Sequence, residues 1–291
     1  METYSINALV AALIYSLAAI FAKGALQTGC GLMRFSFLMN QIFAVVFVLA
    51  LAWKAEPITW SQLHLPIISG ALFFTGQVFT FGALRMGDVS LQTPIMGTKA
   101  VFVALLAIVL GLQEVSWQVC LAAVLSMLAV ALLGFSGGSF HHAKLTIGLS
   151  LLSALTFAAS DQMVGVFGAG FGTPSFLVIA MMTNAALSWG LIPFFSGSIR
   201  DIPRDNMLLI ALASVGMAIQ ATILNYTLSN SGEVVAINIL YSSRGFISVL
   251  IGCILSAVLR RRSEIMTART AALRFLGAVL ISVAIFIALD V

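Results

Sequence analysis

The chain has 291 residues, of which 61% are hydrophobic and 8% are charged. A soluble globular domain carries roughly 25% charged residues, so a chain this apolar must turn most of its surface to lipid. The net charge of +4 does not argue for nucleic acid, because the basic residues stand at the ends of apolar stretches, where they orient a membrane protein.

A helical span needs roughly 20 mostly apolar residues. In chain order that length predicts spans at 6–26, 32–53, 64–85, 89–111 and 117–135, then a polar break, GGSFHHAK, then spans at 145–168, 175–196, 206–229, 234–259 and 268–289. The gaps carry loop chemistry: KAEP at 54–57, the Gly87-Asp88 turn, SGSIRDIPRD at 196–205, SNSGE at 229–233 and RRRSE at 260–264. The opening METYSIN has no basic n-region, so the first apolar run is expected to be a retained span. The expected fold class is an all-α membrane protein of ten transmembrane helices.

The chain repeats itself. A shift of 145 residues lays Gly87-Asp88-Val89 on Gly232-Glu233-Val234, Thr93 on Asn238 and Lys99 on Arg244. Each half then holds five spans. Because five is odd, the second half must run through the membrane in the opposite sense. The expectation is two inverted five-helix repeats, over 1–140 and 145–291, around a central cavity, the architecture of many secondary transporters.

Lysine and arginine counts in short loops set orientation. Lys23, Arg34, Arg85, Lys144, Arg200, Arg204, Arg260, Arg261, Arg262 and Arg269 fall on one side and Lys54 on the other. The basic side is expected in the cytoplasm of a bacterial-type inner (plasma) membrane. Both termini then share the external side.

Ionisable residues deep in a span are costly and become functional candidates. Lys99 and Arg244 each lie about ten residues into a span, about 15 Å deep in a hydrocarbon core about 30 Å thick. Two cations at the midplane repel and lose hydration. Asp161, the only acid well inside a span, is expected to pair with one of them as counter-ion or to serve as a coupling site. An anionic substrate group bridging both cations would offset the rest. The plainer alternative is a structural tie, Arg244–Asp161 or Lys99 with backbone carbonyls.

Asn238, Tyr241, Arg244 and Ser248 share one arc of their helix, and Gln92 shares a face with Lys99. The expected substrate-binding set is therefore Lys99, Arg244, Tyr241, Asn238 and Gln92. Pro94 is expected to kink the fourth span. Thr75, Gln77, Thr80, Gln220, Thr222 and Asn225 are expected to make interhelical hydrogen bonds. Gly70, Gly76, Gly82, Gly97, Gly111, Gly245 and Gly252 read as close-approach positions, and Trp53, Trp60 and Trp117 as an aromatic belt.

Cys30, Cys120 and Cys253 show no CxxC spacing, and His141 and His142 read as solvated loop, so no metal site and no cofactor is expected. No GxxxxGK[ST], HExxH or GxSxG motif occurs, so neither nucleotide hydrolysis nor other enzyme chemistry is expected.

Five-plus-five spans with a half-chain repeat resemble the drug/metabolite transporter superfamily, in its ten-span EamA-like branch, over essentially the whole chain. The sharpest stretches are GDVSLQTPIMGTKAVFVALLAIVLGLQE at 87–114 and GEVVAINILYSSRGFISVLIG at 232–252. The first closes on Glu114, similar to the family's acidic residue at the end of its fourth span, whereas the second half places Glu264 after RRR. The resemblance implies a basket of helices whose third, fourth, eighth and ninth spans line the cavity, and transport of small metabolites, amino acids or drugs without ATP. Lys99 and Arg244 also resemble the Lys and Arg with which the related triose-phosphate translocator branch holds phosphate. The ninth span here carries Ser243-Arg244 where that branch has Lys-Arg.

The function expected is a secondary transporter of a small anionic or zwitterionic metabolite, monomeric in the bilayer. The alternatives are an exporter of organic cations or drugs using Asp161, and a membrane assembly subunit that moves nothing.

Overall fold

The computed structural model describes residues 3–51, 54, 56–86, 95–134, 143–248, 250–251 and 268–289. Among these residues every regular element is helical and no strand occurs. That follows from the composition. In hydrocarbon each backbone N–H and C=O needs a partner inside its own segment, and a helix supplies one.

The helices are α1 (Thr3–Gln27), α2 (Leu32–Leu51), α3 (His64–Met86), α4 (Lys99–Val109), α5 (Trp117–Gly134), α6 (Ala143–Phe171), α7 (Thr173–Ser188), α8 (Arg204–Ser231), α9 (Val234–Tyr241) and α10 (Ala268–Leu289). Each falls within or largely over one of the ten expected apolar segments. Among the described residues six stretches are long and apolar enough to cross a membrane: Thr3–Gln27, Leu32–Leu51, Trp60–Leu84, Lys144–Phe171, Thr173–Phe194 and Arg204–Ser231. Shorter apolar helices occupy Lys99–Val109, Trp117–Leu132, Val234–Ser248 and Phe275–Ala288.

Three of the segments are not unbroken α-helix. The seventh segment leaves the α-ladder at Trp189 and finishes as a 3-10 turn to Phe194 containing Pro193, whose ring nitrogen has no N–H to donate. In the fourth segment a turn at Gly97-Thr98 separates helical Ile95-Met96 from the α-helix that starts at Lys99. The ninth stops at Tyr241, makes a turn at Ser242-Ser243 and resumes over 244–248. Pro94 and its expected kink lie outside the described residues.

Packing is built on small residues. Ser5, Ala8, Ala11, Ala12, Ser16, Ala18, Ala22 and Ala25 are the buried residues of α1, a stripe that lets α1 lie close along α8. The corresponding extensive contact elsewhere is α3 with α6. There a Cβ at Gly76 would crowd Thr156 and Phe157, and one at Gly70 would collide with Ala180 of α7. Gly111, expected at a close approach, instead ends a helix with φ of 60° and open space around it. α5 packs on α10, α2 on α7 and α8, α3 on α7, α4 on α6, and α9 on α1 and α4. All eight residues of α9 are buried, so α9 occupies the centre. Trp60 and Trp117 are strongly exposed, as belt residues would be. Trp53 lies outside the described residues.

The loops interlock in pairs. Arg34, buried despite its charge, donates from Nη1 to Ser198 O at 2.8 Å and from Nη2 to Gly29 O at 3.0 Å. Across the molecule, Ser175 Oγ donates to Glu56 O at 2.8 Å. Both donors sit in the first turn of a helix, α2 or α7, and each helix is preceded by a left-handed glycine, Gly31 (φ 78°) or Gly172 (φ 98°). A Cβ at Gly31 would meet Ser196, and one at Gly172 would meet Glu56. A third tie joins Gln113 Nε2 to Glu233 Oε2 at 2.9 Å.

Candidate functional site

The site grows from α9 and the turn that follows it. After Tyr241 the backbone tightens: Ser243 N–H reaches Leu240 O and Gly245 N–H reaches Ser242 O, three residues back rather than four. The same happens before Lys99, where Thr98 N–H reaches Ile95 O. Local 3-10 tightening inside a helix marks strain or a hinge, and here each instance stands directly before a cation.

Lys99 Nζ lies 2.6 Å from Asp161 Oδ2, with side chains 13% and 8% exposed. The ion pair is thus enclosed and ties α4 to α6. Beside it Gln162 Nε2 donates to Val103 O at 2.9 Å, a second tie between the same two helices.

Arg244 sits in an aromatic corner. Its Cζ is 4.6 Å from the Tyr15 ring centroid and 4.4 Å from that of Tyr241, and the two rings stand edge to face at 78°. Its Nη1 donates to Tyr241 Oη at 2.9 Å, and that hydroxyl donates to Gln220 Oε1 at 2.9 Å. Ser16 Oγ lies 3.0 Å from Arg244 O, and Ser248 Oγ donates to Ser16 Oγ at 3.0 Å. Lys99, Asp161, Tyr241 and Arg244 lie close enough for their charges to act on one another.

The two cations therefore have different surroundings. The charge of Lys99 is met by Asp161, whereas no described carboxylate lies within ion-pair distance of Arg244. Its guanidinium is held by ring faces and one phenol oxygen, which fix its plane without neutralising it. A fork with a fixed plane and no counter-charge among the described residues can grip a carboxylate or phosphate oxygen pair.

Of the residues singled out by sequence, the structure joins Lys99 to Asp161 and Tyr241 to Arg244. A tie between Arg244 and Asp161 is not formed; Lys99 holds that carboxylate. Asn238 is buried and spends its amide on Val234 O of its own helix at 3.0 Å. Gln92 lies outside the described residues, as do His141 and His142. Thr75, Thr222 and Asn225 bond to carbonyls four residues back on their own helices. Gln77, Thr80 and Gln220 do make interhelical bonds. Tyr15 was not singled out by sequence. The available signal was a phenol midway along an otherwise Ala-rich stripe, next to Ser16. A groove of about 410 Å³ runs along Ala278, Val279, Ser282, Val283 and Phe286 of α10, and no site residue lines it.

The fold is shared with a solved crystal structure described only as "Crystal structure of protein", with a TM-score of 0.74 over 99% of this chain and 97% of that one, at 17% sequence identity. No family model matches the chain, and no curated protein matches it.

Proposed function

We propose that the chain is a secondary, non-ATP transporter of a small anionic or zwitterionic metabolite, working by alternating access between two inverted five-helix repeats of the EamA-like kind. The observation that carries this reading is the pair of tightened turns, Gly97-Thr98 before Lys99 and Ser242-Ser243 before Arg244, 145 positions apart. Interrupted helices at corresponding positions of two halves are the sequence-level pointer to a transporter's binding site.

Helix packing supports the repeat. Exchanging each helix for the one five places away turns α1–α8 into α6–α3, α2–α8 into α7–α3, α1–α9 into α6–α4 and α4–α5 into α9–α10, and every one of these pairs packs. The loop ties support it too. Gly31 and Arg34 correspond to Gly172 and Ser175 at one offset of 141, and each pair fastens the first turn of a helix to a loop of the other half. Within each of the three ties, the two loops joined are ones that ten alternating crossings put on the same side of the membrane as each other.

In this reading Arg244 takes the anionic group of the solute. Lys99 and Tyr241 complete the site, Asn238 and Gln92 flank it, and Asp161 is the counter-ion. The protein sits as a monomer in a plasma-type inner membrane, with its basic loops inside and both termini outside. Export of organic cations through Asp161 has less support, because Lys99 already occupies that carboxylate.

The test is uptake of labelled carboxylates, phosphates and amino acids into liposomes containing the purified protein. Wild type should accumulate or exchange at least one anion or zwitterion, and Arg244→Gln should lose it while remaining folded. Normal transport by Arg244→Gln would sink the site assignment, and inertness of wild type to the whole panel would sink the transporter reading.

A further inference from the structure

We propose that Asp161 sets the valence of the anion this site accepts: ionised, it holds Lys99 and leaves Arg244 for a monoanion; protonated, it frees Lys99 to join Arg244 on a dianion. The inference rests on the transporter reading above and narrows its substrate class.

The charges around the site give the reason. Lys99 and Asp161 cancel across 2.6 Å, so the cluster Lys99–Asp161–Arg244 carries one net positive charge. An enclosed, weakly solvated site takes a ligand best when the sum comes to zero. One carboxylate on Arg244 brings it there. A dianion brings it to minus one, with Asp161 still competing for Lys99.

Adding one proton from solution to Asp161 restores neutrality. An O–H bond forms on the carboxyl, Nζ of Lys99 is released as an ammonium, and no electron moves. The dianion then spans a point charge and a planar fork, the two kinds of cation that suit two separate anionic oxygens. Dianion and proton bind together, while a monoanion binds without a proton.

The groups that would govern this titration are few. Lys99 comes from α4, and Tyr241 and Arg244 from α9 and its continuation, all within Coulombic reach of Asp161. Of the other helices packed on α6, α7 has no ionisable side chain. Those of α3 stand in its terminal turns, as His64 and Arg85. α8 has Arg204 and Asp205 in its first turn and an exposed Tyr226. Asp161 itself is buried.

The experiment titrates purified wild-type protein with mono- and dicarboxylates of two to five carbons at about pH 6.5 and 8.5, reading ligand-induced thermal stabilisation. Both acid classes stay essentially ionised in that window. With one proton taken up per dianion, dicarboxylate affinity should fall by up to about tenfold per pH unit, while monocarboxylate affinity stays flat. Asp161→Asn should bind dicarboxylates at both pH values as tightly as wild type does at the lower one. If that variant does not fold, Lys99→Gln/Asp161→Asn, which removes both charges together, should keep monocarboxylate binding and lose the pH-dependent dicarboxylate binding.

Carboxylate binding that needs Arg244 but shows the same pH response for both valences would overturn this inference and leave the transporter reading standing. Carboxylates that fail altogether to stabilise wild type would overturn both.

Discussion

Arg244 Nη1 donates to the hydroxyl of Tyr241 at 2.9 Å, and that hydroxyl in turn donates to Gln220 Oε1. Tyr241 therefore does two things at once: its ring backs the guanidinium and its oxygen anchors it to α8. Tyr241→Phe keeps the ring and removes the anchor. Gln220 is left with a buried acceptor, a loss of about 1–3 kcal/mol. We expect a lower melting temperature and roughly tenfold weaker ligand binding. Adding Gln220→Leu should recover stability but not affinity, because the guanidinium is still loose. Unchanged binding by Tyr241→Phe would show that the phenol does not position Arg244.

Arg244→Lys tests the fork itself. Lysine keeps the charge but presents a compact ammonium that cannot lie flat in the corner of Tyr15 and Tyr241 or grip two oxygens. Losing the ring contacts costs about 0.5–2 kcal/mol, and bidentate contact is lost as well. Transport should drop at least tenfold, with expression kept and the melting temperature lowered by only the few degrees that this loss implies. A lysine variant that transports like wild type would mean that only the sign of the charge matters there.

Much of this arrangement is legible in the sequence and some is not, for identifiable reasons. Lys99 and Arg244 stand out because a charge inside an apolar run is rare, and the 145-residue shift pairs them without any structure. Apolar run length locates the helices, because hydrocarbon allows little else. The sequence could not say which cation Asp161 would take, since that depends on where α6 sits relative to α4 and α9, a matter of helix rotation and height. It missed Tyr15 because a tyrosine in a span is ordinary until a cation is seen against its ring. Arg34 read as a loop cation of the basic side, yet the fold buries it against two carbonyls, because the Gly29–Gly31 loop turns back beneath it.

The two left-handed glycines give a separable prediction. Gly31→Ala and Gly172→Ala each force a Cβ into a backbone conformation that costs about 1–2 kcal/mol and also push it toward Ser196 or Glu56. Gly29 has a similar φ of 87° with nothing within 4 Å of a would-be Cβ, so Gly29→Ala reports strain alone. The melting temperatures of Gly31→Ala and Gly172→Ala should both fall below that of Gly29→Ala. Equal losses in all three would remove the loop contacts from the argument and leave only backbone strain.

The amide pair between α2 and α3 supplies a test of helix association that does not touch the site. Asn40 Nδ2 donates to Gln77 Oε1 at 2.8 Å, Gln77 Nε2 donates back to Asn40 Oδ1 at 3.0 Å, and both side chains are buried. Neither amide can turn to water, so removing one strands the other in an apolar setting. Asn40→Leu and Gln77→Leu should each destabilise by about 1–3 kcal/mol, whereas the double variant should lose less than the sum, because no stranded amide remains. Interhelical hydrogen bonds in membranes couple by about 0.6 kcal/mol on average and reach about 1.7. A reciprocal pair with both bonds made belongs near the upper value. A double-mutant cycle on unfolding in detergent measures it directly. Coupling near zero would mean that Asn40 and Gln77 find other partners when separated, and that the small-residue packing of α3 on α6 and α7 holds this part of the bundle without them.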